Sequence, residues 1–248
     1  MSGALLITGA TGEVAPAVIR TLSGRGDRLL LVGRNADRLA ELDDEFGNSG
    51  FIETFVADVA EPIQAMAAAE EAGRRFGGVA GLVHLVGGFT AGPVMSTTPE
   101  TYRDLLAANF LSAVTMTQAL LPSFSEGGHL VYFSSPLADE PLRAMSAYAA
   151  AKAALVAWVR SLAHEVKGRE IHANVVVMTA ADTPSKRTDR PDWDFDQAVA
   201  PEAVAGVTAF LTDPASDGLY GACVPLLGRF GFTSDLLGPP PDLVGADR

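Results

Sequence analysis

The stretch "LLITGATGEVAPAV", residues 5–18, decides the fold. It reads as an apolar strand running into a glycine turn and then a helix, a layout that suits the phosphates of a dinucleotide. Gly9 and Gly12 let the backbone bend tightly and approach a pyrophosphate, while the following helix aims free N–H groups at it. Two residues disturb the picture. Glu13 puts a carboxylate where a phosphate cradle favours none, and Ala15 stands where a third glycine is expected. Taken alone, the turn fits a working cofactor loop, a damaged one, or a turn that is glycine-rich for steric reasons only.

Outward from this stretch, short apolar runs alternate with longer helical patterns. Strands are predicted at 4–8, 28–32, 51–57, 81–86, 129–134, 172–178 and 221–226, and helices at 35–46, 62–76, 99–121, 147–166 and 201–211. The runs "LLLV" and "NVVVM" are nearly continuous in apolar side chains, as are strands of a parallel sheet covered on both faces. The alternation predicts an α/β fold, a doubly wound parallel sheet of Rossmann type, in a single domain over 1–248. Two segments break the rhythm. Residues 182–200 are polar and carry Pro184, Pro191, Trp193 and Phe195. A long irregular insertion after a strand's carboxyl end is where a substrate lid would sit, and a plain surface loop fits as well. Residues 229–248, which include "GPPPDLVGADR", read as a loose or partner-bound tail.

The chain's 248 residues suffice for one large α/β domain with a sizeable core. Hydrophobic residues at 48% and charged residues at 19% exclude a disordered class. A formal net charge of -12 argues against nucleic acid and anionic membranes as main partners, without forbidding a small anion in a local basic pocket. No charge-free apolar run of ~18 residues stands out, so no membrane span is expected. One cysteine, Cys223, permits no intrachain disulfide and fits a reducing compartment. No signal-peptide pattern opens the chain, and a cytoplasmic location is expected. No metal site is expected.

Four features could carry chemistry. Besides the glycine turn there is "YAAAK", whose spacing puts Tyr148 and Lys152 on one helix face, a turn apart. A phenol with a pKa of ~10 is a poor base at neutral pH. A nearby ammonium favours the phenolate and is expected to lower that value, allowing proton exchange with a substrate oxygen. In "VYFSSP", Ser134 and Ser135 end a predicted strand thirteen residues before Tyr148, where a hydroxyl could bond a substrate carbonyl. Asn109 stands mid-helix, where Asn is a poor residue, so it either holds a water, distorts the helix, or is a packing accident. Each feature also has a bland reading: an ordinary amphipathic helix, turn-forming serines, a steric glycine turn.

Together, in this order, they resemble the short-chain dehydrogenase/reductase family over nearly the whole chain. The family's TGxxxGxG appears as "TGATGEVA", residues 8–15, and its Asn–Ser–Tyr–Lys tetrad falls on Asn109, Ser135, Tyr148 and Lys152. "ADV" resembles the Asp–Val pair that meets the adenine, here Asp58 and Val59, and the segment from Pro201 resembles the family's last helix and strand. The resemblance implies cofactor contacts from Gly9, Thr11, Gly12, Glu13, Val14, Arg34, Asn35, Asp58, Val59, Val86, Gly87, Tyr148, Lys152, Thr179 and Thr183. It implies hydride exchange between a nicotinamide cofactor and a carbonyl or alcohol, with Tyr148 as acid/base, Lys152 lowering its pKa and holding the ribose, Ser135 orienting the substrate oxygen and Asn109 supporting a relay water. It also implies a homo-oligomer, tetramer or dimer, joined through the long helices at 99–121 and 147–166. The departures are "HLVG", residues 84–87, in place of NNAG, and Met178–Thr179 in place of Pro-Gly. His84 in a central strand reads as a hydrogen-bonded core residue. Spacing from Gly9 to Gly12 to Ala15 matches the extended branch, TGxxGxxG, which tolerates a side chain at Glu13. The loop reads as working, with the Glu13 carboxylate expected to point to solvent beside the phosphates. Arg34, with no acid after the second strand until Asp37, points to NADP, with NAD possible. The competing reading is a non-catalytic NAD(P)-binding regulator or scaffold of the same fold.

Overall fold

The computed structural model describes residues 3–47 and 50–229, so the sequence-predicted tail lies outside the described residues apart from Arg229. Seven strands, β1 (Ala4–Thr8), β2 (Leu29–Gly33), β3 (Ile52–Val56), β4 (Val79–His84), β5 (Phe124–Ser134), β6 (Ile171–Met178) and β7 (Cys223–Leu226), form one sheet in the order β3-β2-β1-β4-β5-β6-β7. Every neighbouring pair is parallel. The order reverses between β1 and β4, which opens a crevice at their carboxyl ends, the binding position of doubly wound sheets.

Successive strand residues alternate between the sheet's faces, and the core divides accordingly. Leu5, Ile7, Leu29 and Leu31 face the helices α1 (Ala15–Arg25), α2 (Ala36–Phe46) and α8 (Pro201–Leu211). Leu6, Leu30 and Val32 face α3 (Pro62–Phe76), α5 (Ser112–Leu120) and α6 (Ser146–Val166). α3 illustrates the local logic. Pro62 opens it, and Ala65, Ala68, Ala69 and Ala72 place small side chains on the buried stripe. Its last turn carries Arg74 and Arg75, both bonded to Glu71.

The segment predicted as one helix over 99–121 is broken. α4 (Pro99–Leu106) passes into a π-helical turn, Ala107–Leu111, before α5 resumes. The span Pro99–Ser123 passes by length and composition as apolar enough to cross a membrane, its most apolar stretch of eighteen residues having a mean hydropathy of 1.4. Leu105, Ala113, Met116 and Leu120 within it are buried against the body of the protein, while Leu111 is half exposed.

At the opposite, amino end of the sheet, His129 and His172 stack with ring centroids 5.2 Å apart, and each Nε2 lies 3.6 Å from Asp217 Oδ1. Both Nδ1 atoms are buried without a hydrogen-bond partner among the described residues. Burial first, then the facing His172, pushes the His129 pKa down to about 4; Asp217 and Asp213 oppose this, and Arg25 reinforces it. A histidine depressed from 6.5 contributes stability that is present above its unfolded pKa and lost as pH falls from there towards about 4, because the unfolded chain takes up the proton first. The expected loss is on the order of a few kcal/mol. Thermal unfolding followed against pH should show it, and His129→Gln should flatten that part of the profile.

Candidate active site

The glycine turn sits at the end of β1. Gly9 has φ +74, and a Cβ there would lie 2.9 Å from Leu85 C and Val86 N, so the turn passes directly over the end of β4. Gly12 N–H bonds Gly9 O at 3.0 Å and Ala15 N–H bonds Gly12 O at 3.1 Å, which winds the chain into α1. Thr11 rests on the end of β2, where a Cβ on Gly33 would come within 2.9 Å of Thr11 Cγ2. Val14 packs against the apolar face behind the turn, and Ala15 is buried, so its methyl is accommodated.

Glu13 corrects the sequence reading. The residue is exposed, as expected, but its carboxylate is not free. It accepts the Ser185 N–H at 2.9 Å on Oε1 and the Ser185 hydroxyl on Oε2. Burial acts to raise its pKa, but the bonds from Ser185 and Thr183 and the charge of Lys186 outweigh it, and the carboxyl is held below its ordinary value. Ser185 belongs to α7 (Pro184–Asp189), a short helix inside the insertion at 182–200. The insertion is a folded loop. A bridge between Ala181 and Val199 closes its neck, Arg187 pairs with Asp182 at 2.6 and 2.7 Å, and Trp193 meets Phe195 edge-on at 4.8 Å.

Arg34 projects from the end of β2, 78% exposed at its side chain, with Nη1 3.5 Å from Asp58 Oδ2. The Asn35 side chain caps α2 by accepting the Arg38 N–H at 3.1 Å. Asp58 Oδ1 accepts the Ala60 N–H, Gln64 Oε1 accepts the Asp58 N–H, and Val59 is buried. These bonds fix the turn after β3 beside the guanidinium.

The tetrad residues gather at the carboxyl ends of β4 and β5. The two serines have separate surroundings: Ser134 donates to Lys152 O at 3.2 Å, while Ser135 accepts the Leu137 N–H at 3.3 Å and lies near enough to the Tyr148 phenol to lower its pKa. Lys152 is buried and donates to Phe133 O at 2.8 Å, with Nζ 5.7 Å from the centre of the Tyr148 ring. Burial pushes the amine down to about 8. The Tyr148 phenol moves opposite to the sequence expectation. Burial pushes it up to about 12, and the bond with Ser135 offsets only part of that. Phe89, which the sequence reading missed, lies edge-on to Tyr148 at 5.0 Å and is half exposed. Its position just after Gly87–Gly88 was the available signal.

Asn109 distorts its helix, as one of its sequence readings allowed. Its Nδ2 donates to Gly88 O at 2.9 Å and Leu105 O at 3.0 Å, and its Oδ1 accepts the Gly88 N–H at 3.2 Å. The side chain therefore clamps the backbone after β4, and the π turn supplies the displaced position it needs. A Cβ on Gly87 would lie 2.9 Å from Asn109 Oδ1 and 3.5 Å from Lys152 Nζ, so Gly87 keeps this corner open. Val86 packs against the core beside it.

His84 is the core residue the sequence reading expected. Ser112 gives its proton to Ala108 O, so His84 Nε2 donates to Ser112 Oγ at 3.1 Å and Nδ1 accepts from Thr8 Oγ1 at 2.8 Å. Burial, then the charge of Lys152, pushes its pKa down to about 3, and it stays neutral. Thr179 gives its hydroxyl to Leu227 O at 3.0 Å, and Thr183 is buried at the start of α7. Among the described residues no group of three or more His, Cys, Asp or Glu is arranged to hold a metal.

Residues 4–194 match the family model described as short chain dehydrogenase. A dehydrogenase/reductase SDR family member 7B of Danio rerio is 31% identical over 181 residues, covering 69% of this chain and 59% of that protein. The chain thus spans less than two thirds of the length of the first curated relatives it matches. Among solved structures, a blue fluorescent protein from a metagenomic library in complex with NADPH superposes with a TM-score of 0.83 at 28% identity, over 93% of this chain and 98% of that one. A short chain dehydrogenase from Burkholderia cenocepacia in complex with NADP gives 0.82 at 26%, over 92% and 97%.

Proposed function

Because this chain belongs to the short-chain dehydrogenase/reductase family, we propose that it is an NADP(H)-dependent oxidoreductase acting on a carbonyl or alcohol through Ser135, Tyr148 and Lys152. The reading rests on one observation: the buried Lys152 amine stands 5.7 Å from the centre of the Tyr148 ring, with Ser135 near the phenol, at the carboxyl ends of the central strands. The cradle fits a dinucleotide. Gly9 and Gly87 leave open the two places where a side chain would collide with backbone or with Asn109. When bound, the nicotinamide supplies or accepts the hydride.

The protein's own residues handle the proton and the positioning. Held near 12, the phenol carries its proton at neutral pH and serves as the donor to the oxygen of a carbonyl undergoing reduction. Ser135 holds that oxygen. Lys152 stabilises the phenolate left behind, and Asn109 fixes the strand-end backbone and supports the water that returns the proton. Phe89 gives the substrate an apolar wall beside the phenol. The expected homo-oligomer would join through the outer faces of α4–α5 and α6, where Leu111 is half exposed.

A screen of carbonyls with NADPH and NADH, followed at the nicotinamide absorbance, tests the reading. Binding of cofactor without turnover of any substrate would leave the regulator reading in its place. Arg34 gives a sharper test of cofactor choice. Arg34→Ala should weaken NADPH binding about tenfold to a hundredfold and leave NADH nearly unchanged, the scale of a charge-assisted contact to a 2′-phosphate. Calorimetry with both cofactors measures it, and equal losses would remove Arg34 from the specificity role.

A further inference from the structure

We propose that Glu13 is a positioning residue that fastens the lid to the cofactor turn, so that the lid and the phosphate-binding backbone open together. The inference extends the cofactor reading given above. The family's usual motif has a glycine at this position and its extended branch tolerates a side chain, but a carboxylate there has no use in an anion cradle. Here it has another partner. Both its oxygens are taken by Ser185, one by the backbone N–H at 2.9 Å and one by the hydroxyl, across 172 residues of sequence. Among the described residues, the hydrogen bonds from α7 to anything outside the lid run through Glu13.

The rest of the lid is built to transmit that tie. Its neck is pinned by Ala181 and Val199, with Asp182 N–H bonded to Val199 O and Val199 N–H to Ala180 O. Inside the loop, Arg187 bonds Asp182 with two contacts and lies over the Phe195 ring at 4.6 Å, and Gln197 bonds Asp194. The loop is braced as one body, held at its neck, where Gln197 O also accepts the Arg229 N–H at 3.1 Å, and tied on the α7 side by Glu13. Lys186 adds an attractive charge beside the carboxylate. Glu13 lies between Gly12 and Val14, so letting go of Ser185 also frees the turn that must adjust when a diphosphate enters or leaves.

The experiment uses the full chain, with Glu13→Ala, Ser185→Ala, the double variant and Glu13→Gln. Two quantities are read: trypsin cleavage after Lys186 and Arg187 without cofactor, and the NADPH dissociation rate by stopped-flow displacement. Glu13→Ala should raise both about twofold to fivefold, the scale of an exposed charged contact. Ser185→Ala keeps the backbone bond and should give a smaller rise. The double variant should not exceed Glu13→Ala, since both residues serve one contact. Glu13→Gln keeps an oxygen for the Ser185 N–H and should recover most of the wild-type behaviour. Unchanged lid cleavage in Glu13→Ala would overturn the proposal, as would cleavage that rises equally along the whole chain with a lowered Tm. Should the wild type bind neither NADPH nor NADH, the cofactor reading fails and the lid cleavage alone still decides the fastening.

Discussion

Tyr148→Phe is expected to lower turnover by ~10²–10⁴-fold while leaving NADPH binding nearly intact, the usual scale for loss of a general acid. The substitution removes one hydroxyl and keeps the ring, so the edge-on contact with Phe89 and the packing of α6 persist. Ser135 keeps the Leu137 N–H as a partner, and Lys152 keeps Phe133 O. What is lost is the proposed proton donor, a phenol whose pKa burial raises further, to about 12. Steady-state kinetics on a substrate from the carbonyl screen, paired with a cofactor titration, measures the two effects separately. A variant that turned over at the wild-type rate would assign the proton to another group.

Gly9→Ala should have the largest effect on cofactor binding. The residue has φ +74, where an L side chain costs ~1–2 kcal/mol. Its Cβ would also stand 2.9 Å from the backbone of Leu85 and Val86. Backbone atoms at that distance cannot swing aside, so the turn must lift away from the end of β4. The expected outcome is a protein less stable by roughly 2–3 kcal/mol, with Tm lowered by ~5–10 °C and NADPH affinity lost by a hundredfold or more. Gly24→Ala is the control. It lies within α1 and a Cβ there meets nothing within 4 Å, so Ala should be neutral or mildly stabilising. An equal loss of binding in both variants would show that the close approach of Gly9 has no special role.

Much of the fold was legible because strand and helix periodicities are local. β1, α3 and α8 occupy the predicted ranges, since each is framed by a glycine or a proline; β1 is a continuous apolar run buried on both faces, and α3 has one stripe of buried alanines. β5 begins at Phe124, five residues before the predicted start, because pairing of Phe124 with Val79 extends it. The break at Ala107–Leu111 was foreshadowed only by Asn109, an unfavourable helix residue whose purpose lies in the strand-end backbone it bonds.

The sequence by itself determined the order of elements and the doubly wound sheet, because apolar periodicity is a property of neighbouring residues, while the candidate site residues came from the resemblance to a family. It also determined that His84 belongs to the core. Tertiary structure alone decided what those residues experience. The sign of the Tyr148 shift depends on how deeply α6 buries the phenol, and burial disfavours its charge more than the Ser135 bond restores it. Which serine faces the phenol depends on the turn after β5. The partner of Glu13 lies 172 residues away, and a hydrogen bond between such distant positions exists only after the sheet has brought β1 and the end of β6 to one edge.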